Sequence, residues 1–166
     1  QTGAEATNEL SQISPAAHLY IFSVKDDALP AVIQQMPGTG GAWVHTAGSL
    51  PMQLFAARKE EHGVIYPLQT FSKNREINFS SVPIFIEGSS PATTRMLEEL
   101  SKSLSCNVHL LSGDKRRCLH LAAVYACNFV NHMYTLASEI IEKEELPFGF
   151  LLPLITETAA KVREIS

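Results

Sequence analysis

The sequence predicts an α/β fold: a mostly parallel sheet through the first two thirds, then an all-helical last third. Three observations carry this reading. Short, nearly continuous apolar runs alternate with helix-like segments up to about residue 112. The pattern changes at Gly113, after which only helical segments follow. Finally, "CLHLAAVYACNFVNHMYTLAS" (118–138) contains no Asp, Glu, Lys or Arg, although His120, Asn128, Asn131 and His132 lie within it.

Taken in order, "HLYIFSV" (18–24) is the first strand, apolar enough to be covered on both faces. "DDALPAVIQQM" follows as a helix with Asp26 or Asp27 as its N-cap. "PGTGG" (37–41) is a turn and "AWVHTAG" (42–48) the second strand; "LPMQLFAARK" is a short helix. "GVIYPLQTF" (63–71) and "VPIFIEG" (82–88) are the next strands. "SSPATTRMLEELSKSL" (89–104) opens with capping residues and is a helix; "NVHLLS" (107–112) is a fifth strand. Asp114 is the expected N-cap of the long helix, and Pro147 or Pro153 sets the start of the last one. A boundary at 111–113 divides the chain into residues 1–112 and a helical domain, 113–166.

With 45% hydrophobic and 18% charged residues, the chain can bury a core. A formal charge of -4 offers no basic footprint for nucleic acid, and no Lys/Arg run suits a membrane surface. Two Asn and two His make 118–138 an expensive membrane span, so no membrane role is expected. Cys106, Cys118 and Cys127 form an odd set without a C-x-x-C pair, which fits a reducing, cytoplasmic setting. Cys118 and His120 do not face each other on a helix, so no metal site is expected. A Cys127–His120 nucleophile lacks a cationic neighbour for the thiol. His18, His62 and His109 fall at element edges and are expected at the surface.

At about 100° per residue, Ala122, Ala126, Phe129, Met133, Leu136 and Ile140 gather on one side of the long helix. His120, Cys127, Asn131, Thr135 and Ser138 gather on the other, with Asn128 beside them. A solvated face would carry Glu and Lys, so this helix is expected to be enclosed. Its polar stripe is then either a ligand-facing wall or a set of satisfied groups in a helix–helix contact.

At the strand ends, His45, Thr46 and Ser49 follow the second strand, and Gln69, Thr70 and Ser72 follow the third. Open α/β sheets take ligands at that edge, whereas Ser, Thr, Gly and Pro also end strands for ordinary turn chemistry. Gly48 would allow a sharp turn or a close approach.

"HTAGSLP", "GVIYPLQTFSK", "VPIFIEG", "RRCLHLAAVYACNFVNHMYTLA" and "LLPLITETAAK" together resemble a family of bacterial proteins. These pair a Rossmann-like domain with a C-terminal helical domain of unknown function. In architecture the family is similar to pyrroline-5-carboxylate reductase, ketopantoate reductase, prephenate dehydrogenase and the 6-phosphogluconate dehydrogenase group. The resemblance implies an NADP- or NAD-dependent oxidoreductase acting on a small-molecule substrate. "YPLQTF" occupies the place where prephenate dehydrogenases carry a His-Pro-Met segment beside the substrate. In the wider group a Lys or His and an Asn on the first long helix assist proton transfer; here no Lys lies within 118–138.

The resemblance therefore implies His120 as proton donor or acceptor, with Asn128 or Asn131 orienting the substrate. His45, Thr46, Ser49, Gln69, Thr70 and Ser72 would contact substrate, and Val24 and Lys25 would pass near the cofactor. The chain has no G-x-G-x-x-G turn for the pyrophosphate. It thus reads as the later part of a Rossmann-like domain whose Gly-rich portion precedes Gln1, and by itself it is expected to bind no dinucleotide. A homodimer is expected to cover the sheet edge left unpaired. The alternative function is a non-catalytic dimerisation or ligand-sensing module whose polar stripe is a subunit contact.

Overall fold

A computed structural model describes residues 3–72 and 75–164. The chain divides into two compact units, residues 1–121 and 122–166. The division falls inside the long helix, beyond the change of sequence pattern at 111–113.

The first unit is built on a five-stranded sheet in the order β1-β2-β3-β4-β5. Its strands are β1 (Leu19–Phe22), β2 (Ala42–His45), β3 (His62–Pro67), β4 (Ile84–Gly88) and β5 (Val108–Leu110). Four lie within the predicted runs, and β3 begins one residue before its run, at His62. The sheet is mostly parallel, as expected, but β3 and β4 pair antiparallel. Among the described residues only a short turn, Phe79–Ser81, lies between those two strands, whereas parallel strands are usually joined through an α-helix.

Side chains alternate across the sheet, and the register sorts them. Tyr20 pairs with Trp43, Phe22 with His45, His45 with Val64, Val64 with Glu87 and Tyr66 with Phe85, all on one face. On this face the core is Tyr20, Phe22, Leu29, Ile33, Met36, Trp43 and Phe55, closed by α1 (Leu29–Gln35) and the turn Met52–Phe55. On the other, Val44, Ile65, Ile84 and Ile86 pack against Leu97 of α2 (Pro91–Leu104). Each large apolar side chain so buried contributes about 1.5–3 kcal/mol.

Local signals decide the helix ends. Ser90 caps α2 by accepting the Thr93 N–H, with Pro91 in the first turn. The expected Asp cap of α1 is not used: Ala28 occupies the position and Pro30 sits in the first turn. Asp26 instead accepts a hydrogen bond from the Ser49 hydroxyl. His62 also departs from expectation. It is buried, with Nδ1 at 2.8 Å from the carbonyls of Lys59 and Glu60.

Beyond β5, α3 (Gly113–Ala123) is followed by a π-helical stretch, Val124–Phe129, then α4 (Val130–Glu142) and α5 (Leu152–Lys161). Both expected prolines act here: Pro147 precedes a short turn, and Pro153 lies in the first turn of α5. The expectation of an enclosed helix is not met in the single chain. α4 contributes no buried residue, and Phe129, Met133 and Ile140 are 48%, 52% and 65% exposed. No helix among the described residues is long and apolar enough to cross a membrane.

Candidate functional site

The site forms where β1, β2 and β3 all present their carboxyl ends, because these three strands run parallel. β1 leads to Ser23, Val24 and Lys25, all exposed. Thr46 follows β2, its N–H bonded to the Phe22 carbonyl and its hydroxyl 3.4 Å from that of Ser23. Ser49 is half-buried and tied to Asp26. Gln69, Thr70 and Ser72 lie beyond β3 and are exposed, with the Gln69 side-chain oxygen accepting the Thr70 N–H.

Helix α3 brings His120 to this edge. Two helical turns earlier, the Gly113 N–H bonds Glu87 Oε1 at 2.9 Å. Arg116 is buried; it reaches Glu87 Oε2 at 2.5 Å and the Leu50 carbonyl at 2.7 Å. The helix is thereby latched to β4 and to the segment after β2 at once. A buried charge requires such pairing. His120 lies one turn beyond Arg116, on the same side. Its Nδ1 stands 2.9 Å from the Tyr66 hydroxyl of β3, with the two rings edge to face at 74°. Burial pushes the Tyr66 phenol above its ordinary pKa, opposed in part by the Arg116 charge.

Gly48 makes this arrangement possible. A Cβ there would stand 2.6 Å from His120 Nδ1 and 2.7 Å from the Tyr66 ring. Its φ is not in the left-handed region, so space rather than backbone freedom requires glycine.

His45 is placed differently from the expectation. It has no exposed surface and packs on Phe55 at 5.7 Å between ring centroids. Burial first, and then the Arg116 charge, lower its pKa to about 4. Its Nδ1 accepts the Ala47 N–H, so the neutral ring carries its proton on Nε2. Such a group shapes the turn after β2; it has no surface to offer a substrate.

Asn128 and Asn131 are exposed and belong to the second unit. A wheel drawn through 118–138 assumed an unbroken α-helix, and the π-helical stretch changes the register between His120 and Asn131. Three participants escaped sequence reading. These are Tyr66, Arg116 and Glu87, none of which the sequence had singled out. The signal for Arg116 was its position one turn before His120, at the charged start of a helix whose run from Cys118 on carries no Asp, Glu, Lys or Arg.

A dinucleotide fits this edge only in part. Ser23, Lys25 and Thr46 can meet its sides, but no Gly-rich turn is present to cradle a pyrophosphate. A cavity of about 510 Å³ lies at the opposite, amino edge, lined by His18, Gly41, Glu61, Thr93 and Met96. There the Thr93 and Ser90 hydroxyls hold the Glu61 carboxyl below its ordinary pKa. Among the described residues no three His, Cys, Asp or Glu side chains come together as metal ligands.

Comparison with known proteins places this geometry. The chain is similar to a solved Bacteroides fragilis protein described as a "putative NADP oxidoreductase", with 46% identity and a TM-score of 0.90 over 95% of this chain and 62% of that one. It shares its fold with a reductive aminase from Aspergillus terreus solved with NADPH: 15% identity, TM-score 0.65, 90% of this chain and 55% of that one. A 1-pyrroline-5-carboxylate reductase from Streptococcus pyogenes gives 14% identity and a TM-score of 0.59, over 88% and 56%. The chain thus spans about three fifths or less of the length of these structures. No curated protein matches it. The Rossmann-like sheet and helical C-terminal part agree with the resemblance read from the sequence. The family model for the domain of unknown function DUF2520 matches residues 82–166, just over half of the sequence, and the chain belongs to that family.

Proposed function

We propose that the complete protein is an NADP-dependent oxidoreductase that moves hydride to or from a small-molecule substrate, with His120 exchanging the accompanying proton. The observation that supports this most is the His120 ring set at the carboxyl edge of three parallel strands, bonded to Tyr66 and backed by Gly48. An imidazole suits the role because its ordinary pKa lies near neutrality. The description of the Bacteroides fragilis relative points the same way.

In this reading Thr46, Ser49, Gln69, Thr70 and Ser72 contact substrate through hydroxyl and amide groups, and Val24 and Lys25 flank the cofactor. His45 fixes the turn that carries Thr46 and Ser49. Asn128 or Asn131 orients the substrate. The protein works in the cytoplasm, in keeping with three exposed, unpaired thiols. It is a homodimer that covers the exposed apolar side chains of α4.

Calorimetric titration of the complete protein with NADPH and NADH tests the cofactor. Micromolar binding of NADPH, with NADH weaker, is expected. NADPH oxidation across a panel of small ketones and cyclic imines should fall at least about 100-fold in His120→Ala. Absence of NADPH binding by the complete protein, or oxidation unchanged in His120→Ala, overturns the proposal.

A further inference from the structure

We propose that Tyr66 is a positioning residue: its hydroxyl holds the His120 ring in one orientation through both protonation states, leaving Nε2 as the ring atom that faces the substrate. The inference rests on the oxidoreductase reading above for its purpose, but its geometry stands alone.

A phenol carries one donor and two acceptor lone pairs. Toward the resting neutral ring it donates to Nδ1, 2.9 Å away, which leaves the ring proton on Nε2. Toward the protonated ring the same oxygen accepts from Nδ1–H. The hydroxyl rotates and the imidazole does not. A backbone carbonyl in this place could only accept and would demand Nδ1–H at all times. The raised pKa of Tyr66 keeps its own proton in place throughout.

The surroundings leave the pair no other arrangement. Phe85 lies beside the Tyr66 ring at 6.4 Å, the Arg116 latch stops α3 from sliding, and Gly48 leaves room for just these two rings. In the reductive direction, with a reduced nicotinamide bound in the complete protein as the hydride donor, imidazolium Nε2–H would pass its proton to the substrate's oxygen or nitrogen. The neutral ring left behind for that moment keeps Nδ1–H on the phenol oxygen, and water returns a proton to Nε2 to restore the imidazolium; the resting Nε2–H form is regained only when Nδ1 gives up its proton.

Nitrogen-15 NMR of histidine-labelled complete protein, at a pH where imidazoles are neutral, tests this directly. His120 is expected as a single Nε2–H tautomer. In Tyr66→Phe the Nδ1–H share should rise to that of the exposed His18 in the same spectrum, and Gly48→Ala should move it the same way by forcing the rings apart. NADPH oxidation should fall about 10-fold in Tyr66→Phe with NADPH affinity unchanged. An Nδ1–H ring in the wild type, or one tautomer share in wild type and both variants, overturns the proposal. Loss of NADPH binding in the wild type would strike the oxidoreductase reading instead, since the tautomer is read without cofactor.

Discussion

The two units close themselves to different degrees. The sheet unit buries aromatic and aliphatic side chains on both faces, with Trp43, Phe55, Val44, Val64, Ile84 and Leu97 at 1% exposure or less. In the helical unit α4 and α5 bury no residue, although their sequences are more apolar than that of α2. Apolar content therefore does not by itself make a core; layers on two sides do. A sheet supplies both faces to its neighbours, whereas helices with the same side chains leave them in solvent until something packs on them.

The largest effect that could break this comparison comes from deletion in each unit. Leu97→Ala should cost about 2–5 kcal/mol, whereas Ile140→Ser should stay within about 0.5 kcal/mol for the single chain. Urea unfolding followed by circular dichroism compares them. Equal losses would mean that the helical unit has a core of its own.

The latch should rank close behind. Arg116→Ala strands the Glu87 carboxylate beside a buried cavity and should cost about 3–5 kcal/mol. Replacing Arg117, whose partner Asp114 is exposed, should cost less than about 1 kcal/mol. Similar midpoints for the two variants would refute the distinction between the buried and the surface pair.

Acid should act on the sheet unit through His45. Its folded pKa, about 4, lies below the unfolded value of 6.5, so the unfolded chain binds the proton first. Stability is then complete above about pH 6.5 and falls as pH drops toward 4. The loss approaches about 3 kcal/mol, from 1.36 kcal/mol per unit of pKa difference. His45→Gln should flatten unfolding midpoints measured between pH 7 and 4. An unchanged slope would remove His45 as the cause.

The smallest effect is stabilising and sits in the helical unit. Glu145 closes α4 at φ 55°, and the next N–H, from Leu146, reaches back to the Ile141 carbonyl. Glycine suits that conformation better, so Glu145→Gly should raise stability by about 0.5–1 kcal/mol in thermal melts.

Much of this was legible beforehand, and the limits have physical causes. Runs such as "HLYIFSV" and "VPIFIEG" announce strands because apolar residues bounded by turn formers can bury nowhere else. Their direction is not written in them, so the reversal of β4 had to be read from the missing crossover helix. His120 stood out against an uncharged helix, but its partner lies 54 residues away, and no local pattern joins them. The arrangement of the polar stripe was not legible for a third reason: a π-helical stretch, Val124–Phe129, shifts the register that a wheel assumes, and propensity does not reveal it. His45 failed because a histidine at a strand end looks the same whether its ring turns outward or into the core.

Gly48 offers a practical handle. Alanine is one nucleotide change away from any glycine codon, so the smallest coding alteration at this position would wedge two rings apart without altering the atoms of either. Serine and valine extend the series by size. Position 48 can thus serve as a graded control on the spacing of the Tyr66–His120 pair, set from outside the pair itself.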